Sequence, residues 1–105
     1  MKKMSLEEYK GVFTFAQQVD NELGSIAFEL IGEGKRLAKD LGTDVTAVLI
    51  GSDVRGLADK LAEHGADHVI VVDDPALKVY RTEPYAQVLA GVINEYKPDI
   101  VLVGA

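Results

Sequence analysis

A chain of 105 residues, 48% hydrophobic and 27% charged, has the size and composition of one globular domain. It contains no cysteine, which removes disulfides, thiolate metal centres, iron–sulfur clusters and thiol nucleophiles from consideration within these residues. The formal net charge is −6 and no basic patch with interleaved aromatics occurs, so nucleic acid is not an expected partner.

Acidity is concentrated late in the chain: residues 1–40 carry 6 basic and 7 acidic side chains, residues 41–105 carry 5 and 10. The apolar run Ile100-Val101-Leu102-Val103 is far short of the roughly 20 residues that cross a bilayer. The basic start Met1-Lys2-Lys3-Met4 leads into Ser5-Leu6-Glu7-Glu8, which is no signal-peptide core. A cytoplasmic protein is the expectation.

The elements alternate in type. Val12-Phe13-Thr14-Phe15-Ala16, β-branched and aromatic, predicts a first strand, and the polar stretch from Gln17 to Gly24 predicts a loop. Ser25 is placed as the N-cap of a helix whose apolar residues Ala27, Leu30, Ile31, Leu37, Ala38 and Leu41 recur at helical spacing, with Gly42 as its stop. Gly32 and Gly34 lie inside that helix, each at a cost of about 1 kcal/mol against alanine. Gly34 is on the apolar face, where close approach to a strand would explain it; nothing in the pattern explains Gly32.

Val45 to Ile50 then reads as a second strand, Gly51-Ser52-Asp53 as turn and cap, and Val54 to His64 as a second helix. That helix has Val54, Leu57, Ala58 and Leu61 inward, and Gly65 ends it. His68 to Val72 is a third strand, closed by Asp73-Asp74-Pro75. Thr82 caps a third helix with Tyr85, Val88, Leu89, Val92 and Tyr96 inward; Lys97-Pro98 stops it before a fourth strand, Ile100 to Val103. Short, continuously apolar strands joined by helices imply an α/β fold, an open doubly wound parallel sheet of strand order 3-2-1-4. The last strand should be central, so the chain reads as truncated before a covering helix.

In such a sheet ligands bind beyond the carboxyl ends of the strands where the order reverses. That places the candidate cofactor-binding residues at Gln17 and Gln18 after strand one and at Gly104 and Ala105 after strand four, with the glutamine amides as hydrogen-bonding groups and Gly104 as a point of close backbone approach. A solvated loop and a strand-end turn are the competing readings. Gly32-Glu33-Gly34-Lys35 falls mid-helix and is followed by Arg36, so it is no phosphate loop. His64 and His68 lack the helical spacing of zinc ligands, Asp73-Asp74-Pro75 suits a capped turn, and no general acid–base pair stands out.

Val12 to Gln18, Glu29 to Ala38, Val45 to Gly51, His64-Gly65-Ala66-Asp67-His68, Val72-Asp73-Asp74-Pro75 and Tyr96 to Ala105, in this order and spacing, resemble the opening of electron transfer flavoprotein alpha subunits. The resemblance runs from about residue 10 to the end. It implies an N-terminal domain of adenine-nucleotide alpha-hydrolase-like (Rossmann-like) fold, followed in the family by a C-terminal domain that holds FAD. It also implies a heterodimer with a beta subunit that carries electrons between flavoprotein dehydrogenases and an acceptor. In this reading residues 1–105 serve as scaffold and subunit interface, with FAD held by the later domain and the partner subunit. The family often has glutamate where this chain has Gln17, which puts a charge-dependent role there in doubt. The glycine-rich first helix is similar to the flavin-bifurcating branch, which takes electrons from NADH. The alternative is a stand-alone adenine-nucleotide-binding domain of the universal stress kind.

Overall fold

The computed structural model describes residues 11–19, 22–78 and 82–104. In chain order the elements are β1 (Val12–Ala16), β2 (Gln18–Val19), β3 (Glu22–Leu23), α1 (Ser25–Leu41), β4 (Val45–Gly51), α2 (Ala58–Glu63), β5 (His68–Asp73), α3 (Thr82–Tyr96) and β6 (Ile100–Leu102), with single 3-10 turns at Arg55–Leu57 and Pro75–Leu77. Four of the strands form one sheet in the order β5-β4-β1-β6, every neighbouring pair parallel. Among the four long strands of the sequence reading this is third, second, first, fourth.

The sheet is covered on both faces, which is why its strands are apolar at successive positions rather than alternate ones. All seven residues of β4 are buried. Its Ala47 and Leu49 pack with Ala16, Ala27, Ile31 and Leu61 under α1 and α2. Val48 and Ile50 point the other way, to Phe13, Leu77, Tyr85 and Val92 under α3. Two crossovers therefore lie on one face, the third lies on the other, and the reversal falls between β1 and β6.

The depth at which α1 sits is set by Gly34. A methyl group there would lie 3.1 Å from Thr14 Cγ2 and 3.4 Å from a Cγ1 of both Val12 and Val45, so the helix backbone rests on the β-branched side chains of the sheet. The close-approach reading of Gly34 is correct. Beside it, the Thr14 hydroxyl is buried and has no hydrogen-bond partner among the described residues. Gly42 ends α1 with φ 68°, the left-handed conformation that glycine adopts without strain.

Several expectations need correction. The stretch after β1 is not all loop: β2 and β3 pair antiparallel as a small hairpin. Ser25 is the first helical residue of α1, and the N-cap is Gly24, with no side-chain cap. The second helix begins as a 3-10 turn and is α-helical over Ala58–Glu63; Val54 and Leu61 are nonetheless fully buried, as the apolar face requires. Tyr96 is 49% exposed, touching the core through a tilted contact with Phe13 at 6.2 Å between ring centroids. Val103 lies beyond β6 and is 55% exposed. Thr82 begins α3, but its side chain is outside the described ones, as is the whole of Ala105.

The two helical glycines give opposite predictions. Apart from its chain neighbours and the helix's own backbone, nothing among the described residues lies within 4 Å of where a Gly32 Cβ would be, so Gly32→Ala should stabilise the chain by about 1 kcal/mol through helix propensity. Gly34→Ala makes the same propensity gain but drives a methyl into strand side chains, and should destabilise by about 1–2 kcal/mol net. Urea denaturation of both variants checks the pair; equal shifts in one direction would show that α1 does not rest on the sheet at Gly34.

Candidate functional site at the strand ends

The carboxyl ends of β1, β4 and β6 are joined by side chains of the domain itself. Gln18, first residue of the hairpin, turns its amide back over the sheet: Nε2 donates to the Ile50 carbonyl at 3.2 Å and to the Tyr85 hydroxyl at 3.5 Å. The Tyr85 hydroxyl in turn donates to the Leu77 carbonyl at 2.7 Å. This polar chain links the hairpin, β4, α3 and the turn at 75–77, elements from both faces of the sheet. Gly51 makes room for it, since a methyl group there would stand 2.6 Å from Gln18 Nε2 and 2.7 Å from Val54 Cγ1.

Gln17 and Gly104, placed together by the sequence reading, do meet. A Cβ on Gly104 would lie 3.5 Å from Gln17 Oε1, but it would lie only 2.6 Å from Cγ1 of Ile26. Ile26, in the first turn of α1, therefore occupies the space that the glycine leaves. The Gln17 carbonyl accepts from the Gly24 N–H at 3.1 Å, fixing the hairpin base and the start of α1. Sequence reasoning missed Ile26 because it is off the core stripe; its position one residue before Ala27 was the available signal. In this arrangement the Gln18 amide is turned inward over the sheet and Ile26 lies on Gly104.

Asp73, at the end of β5, organises the neighbouring loop. Its carboxylate accepts from the N–H groups of Asp53 at 2.8 Å and Val54 at 3.0 Å, with Asp53 held at φ 58°. A cap on this turn thus comes from the adjacent strand, 20 residues on in sequence. Donation from the Asp53 N–H, with those of Val54 and Arg55, holds the Asp73 carboxyl below its ordinary 3.8. Asp74 caps the following 3-10 turn, accepting from the Ala76 N–H at 2.9 Å, so the capped-turn reading of Asp73-Asp74-Pro75 holds.

The opposite ends of the strands use the same device. Asp67 accepts from the Val45 N–H at 2.9 Å and pairs with Lys35 at 3.3 Å; the backbone bond first, and Lys35 after it, lower its pKa. Asp99 accepts from the Gly11 N–H at 3.0 Å, and its own N–H donates to the Gly11 carbonyl at 2.8 Å. His64 stacks on Phe28 at 3.9 Å between centroids, with Nδ1 2.7 Å from the Lys60 carbonyl, and the exposed His68 has Nε2 3.3 Å from Asp44. The described residues contain no group of three or more His, Cys, Asp or Glu placed to hold a metal ion. None of their helices is long and apolar enough to cross a membrane.

The geometry defines a four-stranded, doubly wound α/β domain of the nucleotide-binding type, with strand-end residues that bond to one another. Residues 12–105 match the family described as the electron transfer flavoprotein domain, and the chain belongs to that family. It is 49% identical over 102 residues to a protein of Clostridium saccharobutylicum named Protein FixB, and 46% identical over 102 residues to an electron transfer flavoprotein subunit alpha of Megasphaera elsdenii. It is 40% identical over 100 residues to the acryloyl-CoA reductase electron transfer subunit beta of Anaerotignum propionicum. These alignments cover 95–97% of this chain and 27–30% of each relative, so the chain spans under a third of their length. The stand-alone universal-stress reading is not favoured by this membership.

Asp67 and Asp73 contribute to the response to acid. Because the folded pKa values of Asp67 and Asp73 lie below the ordinary 3.8, their contribution to stability is complete above that value and is lost as pH falls through it toward the folded values. Asp67→Asn with Asp73→Asn should lower the urea midpoint at pH 7 and flatten its acid limb, so that the two curves converge below pH 3.8. Parallel curves would remove these two groups from the acid response.

Proposed function

We propose that these residues are the N-terminal domain of an electron transfer flavoprotein alpha subunit, acting as scaffold and subunit interface. The whole protein, in this reading, is a cytoplasmic heterodimer with a beta subunit, passing electrons between flavoprotein dehydrogenases and an acceptor. FAD supplies the redox chemistry and is held by sequence beyond these residues together with the partner.

The observation that supports this best is that matches to electron-transfer subunits extend along nearly the whole chain while covering under a third of the relatives. The strand-end contacts agree with it. Gln17, Gln18 and Gly104 are assigned to joining β1, β4, β6 and the start of α1, with the Gln17 side chain, exposed at the rim, as the group available to anything that packs above.

The test is a fluorescence titration of the 105-residue chain with FAD. The expected Kd is in the millimolar range, about −4 kcal/mol of binding free energy. Binding at the micromolar level would place a flavin site on the strand ends and contradict the scaffold role.

A further inference from the structure

We draw no further inference here: the strongest candidate, the half-buried apolar flank of α1 formed by Ile26, Leu30 and Leu37 beside the edge strand β6, carries nothing because nothing in the structure shows what covers it.

Discussion

The contact of Gly34 with Thr14, Val12 and Val45 is the constraint on which the arrangement depends. With no side chain at that point, α1 lies against β1 and β4 closely enough that three separate junctions form along its length. Its first turn brings Ile26 onto Gly104. Phe28 stacks on His64 and so fixes α2, and Lys35 reaches Asp67 at the start of β5. A helix held further out would lose all three together, because packed elements shift as units.

The same closeness has an electrostatic counterpart at the strand ends. Backbone N–H groups that the parallel ladder leaves unpaired are taken by carboxylates from neighbouring strands or their approaches: Val45 by Asp67, Gly11 by Asp99, Asp53 and Val54 by Asp73. Paired N–H groups at these ends satisfy the requirement that backbone polar groups find partners. Of these groups, the Asp53 and Val54 N–H held by Asp73 lie at the carboxyl ends of the strands, and those of Val45 and Gly11 lie at the opposite ends. The domain has the architecture of a Rossmann-like fold, with Asp73 and Gln18 bonding part of its carboxyl end to itself.

Fold class was legible because it rests on repeated local pattern: three successions of apolar strand, turn glycine or aspartate and amphipathic helix. Gly34 and Gly42 could be read from their places on the apolar face and after the last helical turn. The missed features depend on contacts between distant residues. Asp73 caps a loop that starts 20 residues earlier, and nothing local marks it as different from Asp74, which caps its own turn. The β2–β3 hairpin has two residues in each strand, too few to show alternation, and Gly24 holds the cap position because its backbone is extended while Ser25 is already helical. At the candidate site, Gln17 and Gly104 were placed correctly beside one another from topology. Ile26 and the inward turn of Gln18 were not visible, since each is a matter of side-chain direction.

Ile26 fills the strand-end crevice at Gly104 from within. Nuclear Overhauser contacts between the Ile26 side chain and the Gly104 α-protons in isotopically labelled protein measure it directly. The account predicts strong contacts that persist, with Gln17 and Gly104 amide shifts unchanged, when FAD or AMP is added. Absent contacts, or Gly104 shifts that move and saturate with added nucleotide, would contradict it.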